Sequence, residues 1–430
     1  MPHEKTVIRG VCPYGEDPVD IVVAAGVIAE ITTAGSGVGR VIEASGLIAL
    51  PGFVDIHTHL REPGREDAET VETGSRAAAL GGFTAVFAMA NTSPVADTAG
   101  VVEQVWHLGK AAGLVDVYPV GAVTVGLGGE QLAELGAMAT SAAQVRMFSD
   151  DGKCVYDAAI MRRALEYVKA FDGVIAQHAQ EPRLTVDAQM NEGVLSGQLG
   201  LTGWPRVAEE SIIARDVLLA EHVDSRLHVC HVSTAGSVEV VKWAKSRGVK
   251  VTAEVTPHHL LLTEDLVASY DPIYKVNPPL RASSDVAALR AALADGTIDA
   301  IATDHAPHPH EDKDCEWAAA AFGMLGLQTA FSIAVLTMID SGLLDWRALA
   351  DRMSVRPARI GRALGHGHDL KVGAPANICV VDPGASWVVE PETFASKSRN
   401  SPYSGMTLPG KVVHVLKAGK PTVEDGDLAC

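Results

Sequence analysis

Between residues 51 and 364 the chain repeats one change of texture eight times: a short apolar run, then in most cases a longer stretch rich in Ala, Leu and Glu. The apolar runs lie at 52–57, 83–90, 117–123, 144–149, 174–178, 226–232, 249–255 and 298–303. Helix-like stretches follow most of them, at 67–81, 97–112, 156–171, 206–221, 234–247 and 318–340. Short runs without polar alternation are the pattern of parallel strands buried on both faces, with helices as the crossovers. An open, doubly wound sheet would show the same alternation. The eightfold count favours a (β/α)8 TIM barrel, and so does the scatter of polar residues over many strand ends instead of one switch point.

The two ends have a different texture. Runs at 5–9, 20–24, 27–32 and 40–43, and again at 377–382, 386–389 and 411–417, are short, β-branched and separated by Gly, Pro and acidic turns. Neither end supplies many strands, so they are expected to join in one composite β-sandwich domain. Residues 1–50 and 365–430 would form this domain and residues 51–364 the barrel. With 47% hydrophobic and 20% charged residues the chain has ample material for a core. Its net charge of −18 repels phosphate backbones and anionic lipid, which argues against nucleic-acid and membrane-surface roles. No basic segment followed by an apolar stretch opens the chain, and no apolar run approaches the ~20 residues of a membrane helix. Cysteines at 12, 154, 230, 315, 379 and 430 lack paired spacing. Reduced thiols in a cytoplasmic protein are therefore expected.

Barrels of this kind place their chemistry at the C-terminal ends of the strands. The first run ends Asp55-Ile-His57-Thr-His59, and on an extended chain residues two apart point the same way. The fourth ends Asp150-Asp151, the fifth at His178, the sixth at His231 and the eighth at Asp304. Any one of these could be a cap, a turn residue or a buried, satisfied histidine. Together, His57, His59, Asp151, His178, His231 and Asp304 form a charge-rich ring that would be costly without a cation. Mixed imidazole and carboxylate ligands suit Zn2+, with Mn2+, Co2+ or Fe2+ as substitutes. Six ligands exceed one tetrahedral site, so two ions sharing a carboxylate are expected. His258 and His259, after the seventh run, read as packing or as support for the ligands. His366 and His368, in a Gly-rich loop, read as solvent-facing. Residues 305–320 read as a mobile loop over the site, and Cys154 as a bystander.

The stretch Pro51-Gly-Phe-Val-Asp-Ile-His57-Thr-His59-Leu-Arg61-Glu-Pro-Gly64 resembles the signature of the dihydroorotases, within the amidohydrolase superfamily. Further matching segments are Ala88-Met-Ala-Asn91-Thr, Phe148-Ser-Asp-Asp151-Gly, Val276-Asn277-Pro-Pro-Leu-Arg281, Ala302-Thr-Asp304-His-Ala-Pro-His308 and Phe322-Gly323-Met-Leu-Gly-Leu-Gln-Thr329. The resemblance covers nearly the whole chain. It implies that His57 and His59 bind one zinc and His178 and His231 a second, with Asp151 bridging and Asp304 on the first. Arg61, Asn91 and His308 would hold the free carboxylate of the substrate, which His59 would also contact, while Asn277 and the backbone around Phe322 and Gly323 would address the ring. Asp304 would carry the proton.

The implied reaction is the reversible closure of N-carbamoyl-L-aspartate to L-dihydroorotate in pyrimidine (UMP) synthesis. Many relatives carry a carboxylated lysine at the end of strand four. Here Asp151 is the implied bridge, with Asp150 and Lys153 as alternatives. Hydantoinase or allantoinase activity is the runner-up, against which Arg61 argues, since those substrates lack the free carboxylate. A third reading is an inactive barrel that supports a partner. The assemblies considered are a homodimer and an association with aspartate transcarbamoylase.

Overall fold

The computed structural model describes residues 5–429. The eight apolar runs become eight barrel strands: β1 (Phe53–Thr58), β2 (Phe83–Ala88), β3 (Asp116–Pro119), β4 (Met147–Phe148), β5 (Val174–Gln177), β6 (Leu227–Val229), β7 (Val251–Val255) and β8 (Ala300–Ile301). Parallel pairing runs from β1 to β3 and from β4 to β8. Single parallel bridges, Gly121 to Phe148 and Thr58 to His305, close the two remaining joints. The ring is thus complete, as the eightfold repeat implied. Strands β1, β2 and β5 are buried along their whole length, which is why their sequences show no alternation.

Helices Val71–Leu80, Ala99–Ala112, Ala158–Val168, Val207–Val223 and Ala235–Ser246 fall where the sequence placed them. Their starts are fixed locally; the Asp157 carboxylate, for example, accepts from the free N–H groups of Ala159 and Ile160. The expected helix at 318–340 is corrected. Only Ala330–Ala334 is α-helical, continuing as a wider π turn over Val335–Ile339. Before it the chain packs too closely on the end of β8 to coil. A Cβ on Gly326 would lie 2.9 Å from Thr303 Cβ, and one on Gly323 (φ 145°) would lie 2.7 Å from His308 Nε2.

The ends of the chain join as expected. Thr6–Pro13 pairs with Val19–Ala24 across a bulge between Ile8 and Val11, and also with Arg40–Glu43 along its first half and with Ile48–Pro51 at its end. Ile48–Pro51 pairs in turn with Ile378–Val388, so strands from both termini share one sheet system. Ile8, Val11, Ile21, Ile378 and Leu416 form its dry core. The short final strands Lys420–Glu424 and Asp427–Leu428 extend it beyond the sequence reading. Among the described residues no helix is long and apolar enough to cross a membrane.

The solvent-facing reading of His366 is also corrected. Its ring is buried, with Nδ1 3.0 Å from Thr84 Oγ1 and Nε2 3.0 Å from Asp116 Oδ2. Both partners lie at the starts of barrel strands, on the face opposite the strand ends where chemistry is expected. His366 therefore fastens the Gly365–Gly367 loop to the foot of the barrel, while His368 stays exposed as expected. His366→Ala, which leaves Thr84 without its ring partner, should cost about 1–3 kcal/mol of stability. Thermal or denaturant unfolding would register this as a lower midpoint, with metal content unchanged.

Candidate metal centre

Three strand ends, those of β1, β5 and β6, converge on one carboxylate at the end of a fourth. Asp151, just past β4, is 4% exposed. Its Oδ1 lies 3.3 Å from His57 Nε2, 3.4 Å from His178 Nδ1 and 3.3 Å from His231 Nε2, and its Oδ2 lies 3.3 Å from His59 Nε2. Asp304, after β8, places Oδ1 3.0 Å from His59 Nε2 and 3.5 Å from His57 Nε2. The potential ligand atoms divide into His57, His59 and Asp151 on one side and Asp151, His178 and His231 on the other.

These spacings fit metal ions. Two ligands each about 2.1 Å from a tetrahedral ion stand about 3.4 Å apart. The Nε2 of His57 is buried with no hydrogen-bond partner, as a nitrogen reserved for a cation would be. His178 Nδ1 and His231 Nε2 are closer, at 2.9 Å. Burial opposes charge on His57, but the carboxylates of Asp151, Glu254 and Asp304 outweigh it and raise its pKa well above the ordinary value. Burial likewise opposes ionisation of Asp151 and Asp304, yet the surrounding histidines, His57 foremost, hold both below the usual carboxylate range. Both acids are thus ready-made anionic ligands.

A second layer fixes these rings and was not anticipated from the sequence. Glu254, inside β7, binds His57 Nδ1 at 2.6 Å with one oxygen and His228 Nε2 at 3.0 Å with the other. It thereby holds the Nδ1 proton of His57 and turns Nε2 toward the centre. Asp55 receives the Thr303 N–H and hydroxyl, tying β1 to β8; burial raises its pKa to about 7. Gln180 Oε1 lies 2.8 Å from His178 Nε2 and accepts from Asn277 Nδ2 at 3.1 Å. The available sequence signal was an acid or a histidine inside an otherwise apolar strand: Asp55 in β1, His228 in β6 and Glu254 in β7.

The alternatives at strand four separate cleanly. Asp150 turns away from the histidines and accepts from the N–H groups of Val123 (2.8 Å) and Thr124 (3.0 Å), whereas Lys153 is exposed. Cys154 is buried, its thiol pushed up to about 12 by burial. His259 is packed as expected, bonded to Thr256 and the Pro278 carbonyl. His258 is buried, and burial lowers its pKa to about 4.

Of the expected substrate residues, Arg61, Asn91 and His308 gather on the His59 side. His59 Nδ1 lies 2.8 Å from Asn91 Oδ1, and Arg61 Nη2 lies 3.5 Å from His308 Nε2. Burial lowers Arg61 to about 10 and His308 to about 2, with the Arg61 charge adding to the latter. At neutral pH Arg61 is therefore a cation beside a neutral imidazole. Asn277 sits on the His178 side through Gln180, and its Oδ1 is buried without a partner. Three backbone groups of Phe322 and Gly323 have protein partners: the Phe322 carbonyl accepts from His308 Nε2 (2.8 Å), the Gly323 N–H donates to the Lys275 carbonyl (3.0 Å) and the Gly323 carbonyl accepts from Asn400 Nδ2 (3.2 Å). Nor does the 305–320 segment hang free. Buried Lys313 donates to the carbonyls of Pro272 and Lys275, and buried Lys275 to those of Trp317 and Ala318.

A family model described as Dihydro-orotase-like matches residues 46–237. The dihydroorotase of Streptomyces coelicolor is 68% identical over 425 residues, spanning 99% of each chain. That of Mycobacterium tuberculosis is 59% identical over 425 residues, spanning 98% of this chain and 99% of its own. The chain belongs to the dihydroorotase family. It is accordingly an enzyme of the cyclic-amide hydrolase class, and its barrel is that of the amidohydrolases. Among solved structures, an L-hydantoinase from Arthrobacter aurescens superposes with a TM-score of 0.87 at 25% identity, covering 100% of this chain and 98% of its own. A dihydropyrimidinase from Brevibacillus agri shares the fold, with a TM-score of 0.84 at 21% identity over 99% of this chain and 96% of its own.

Glu254→Gln replaces an acceptor for two imidazoles with a group that must turn an N–H toward one of them. Metal retention should weaken about 10- to 100-fold. Competition with a chelator measures this directly, while circular dichroism checks that the barrel stays folded.

Proposed function

We propose that the protein catalyses the zinc-dependent, reversible closure of N-carbamoyl-L-aspartate to L-dihydroorotate, a step of de novo pyrimidine synthesis in the cytoplasm. The observation that carries this reading is the buried Asp151 carboxylate between two imidazole pairs, with the Arg61–His308 pair beside it. His57, His59 and Asp304 would hold one ion, His178 and His231 a second, and Asp151 both. Such ions, when bound, make a hydroxide-like nucleophile available at neutral pH and polarise the carbonyl under attack.

The remaining work falls to the chain's own side chains. Asp304, kept ionised by its histidine neighbours, takes a proton from the attacking water. As the ring C–N bond breaks, it returns that proton to the leaving amide nitrogen; ring closure runs the same transfers in reverse. The guanidinium of Arg61 matches the substrate's free carboxylate in a forked geometry, with His308 and Asn91 alongside. Asn277, whose amide oxygen has no protein partner, is available to the ring on the other side. A hydantoin or a simple dihydropyrimidine has no free carboxylate and would leave Arg61 without a role. The inactive-barrel reading is disfavoured because all six ligand candidates are present and gathered.

Metal-replete protein supplied separately with dihydroorotate, hydantoin and allantoin should open dihydroorotate alone, followed by chromatography. Opening of hydantoin but not dihydroorotate would overturn the assignment. Asp304→Asn should retain metal yet lose at least about 100-fold in turnover. A variant that keeps most of its activity would remove Asp304 as the proton carrier.

A further inference from the structure

Between the strands Ile378–Val388 and Thr407–Lys417 the chain leaves the small β domain and crosses to the barrel mouth. This strap is polar yet buried: Ser396, Ser398, Asn400 and Ser401 are 2–4% exposed. Buried polar groups are costly unless bonded. Ser396 donates its hydroxyl to the Glu69 carboxylate, and Ser398 donates to the Ala68 carbonyl at 2.7 Å, both in the loop after β1.

Asn400 reaches further. Its Oδ1 accepts the His308 N–H (3.2 Å), while its Nδ2 donates to the carbonyls of Ala306 (2.9 Å) and Gly323 (3.2 Å). Its own carbonyl accepts the Leu325 N–H at 3.1 Å. One side chain thus spans the two arms of the loop after β8: the outgoing arm with His308 and the returning arm with Phe322 and Gly323. Only one orientation of the amide satisfies an N–H on one side and two carbonyls on the other. The arms are tightly spaced, because the His308 imidazole also bonds the Phe322 carbonyl and fills the space beside Gly323.

We propose that Asn400 is a positioning residue for substrate binding, bracing both arms of this loop so that His308 stands beside Arg61. The proposal rests on the reading that Arg61 and His308 hold the substrate carboxylate. It makes the small β domain a contributor to the site and not merely a neighbour of the barrel. If the strap served only to dock the two domains, Asn400 and Ser398 would be equivalent.

The test compares wild type, Asn400→Asp, Asn400→Ala and Ser398→Ala as metal-replete full chains. Asn400→Asp keeps the size of the side chain, removes both donors and sets a carboxylate against two carbonyls; Asn400→Ala deletes the same bonds without adding charge and serves if the first variant does not fold. Asn400 variants should raise KM for dihydroorotate at least about tenfold with kcat within about threefold, the signature of lost uniform binding. Ser398→Ala should lower Tm and leave KM alone. Unchanged KM in the Asn400 variants despite a lower Tm would overturn the brace. Hydrogen exchange without substrate separates this from a failure of the functional reading. Should wild type not open dihydroorotate, faster exchange at 306–308 and 323–325 in the Asn400 variants but not in Ser398→Ala sustains the brace, and unaltered exchange refutes it.

Discussion

The Asp151 carboxylate has almost no access to water, and a buried anion left alone costs several kcal/mol. It stays ionised because four imidazole nitrogens stand within 3.4 Å of it. The His57 Nε2, buried in this cluster, makes no hydrogen bond. A cation resolves both difficulties. The barrel is what makes the arrangement possible, because no single local segment could bring residues 57, 59, 151, 178 and 231 to one point.

Delivery of these groups strains the chain. His231 (φ 29°), Asp304 (φ 47°) and Arg61 (φ 61°) all adopt left-handed backbone conformations just beyond their strands. For residues with a Cβ each such conformation costs about 1–2 kcal/mol. Regular strand geometry ends at Val229 and Ile301, earlier than the apolar runs at 226–232 and 298–303 imply, although Cys230, Val232 and Ala302 still donate to carbonyls of the neighbouring strands. The turned backbones have one effect in common: side chains that a regular strand would send alternately into the barrel and the outer layer are turned toward its mouth. Elsewhere such conformations close helix ends, as at Asp172, Asp224 and Arg362, whereas these three stand at the proposed site.

The barrel was legible because burial on both strand faces leaves an unmistakable apolar run, and the six candidate ligands could be picked out because each stands near where such a run ends. What pairs with them was not. The Glu254–His57 contact joins residues 197 apart, and nothing local distinguishes a glutamate that orients a ligand from one that caps a turn. His366 looked exposed because its Gly neighbours are typical of loops, and only Asp116 and Thr84 across the barrel foot make it a buried tether. The stretch 318–329 looked helical from its Ala content. The spatial closeness of Gly323 to His308 and of Gly326 to Thr303, which forbids coiling, has no local signature.

A hydantoinase and this chain superpose at a TM-score of 0.87, so the barrel does not choose the substrate. The choice must lie in the loops, and on the proposed reading it lies in charge. With a net charge of −18 the protein as a whole repels an anionic substrate, so long-range steering works against binding. Attraction must come from groups within contact distance. Arg61 would supply it where burial weakens screening by water, and the neutral His308 beside it adds no second cation to repel Arg61. Arg61 sits on the loop after β1, His308 on the loop after β8, and these strands are joined by Thr58 to His305, one of the two single bridges that close the ring. The proposed carboxylate-binding pair is therefore assembled across the seam of the barrel, a seam also held by Asp55 to Thr303 and by Glu69 to His305.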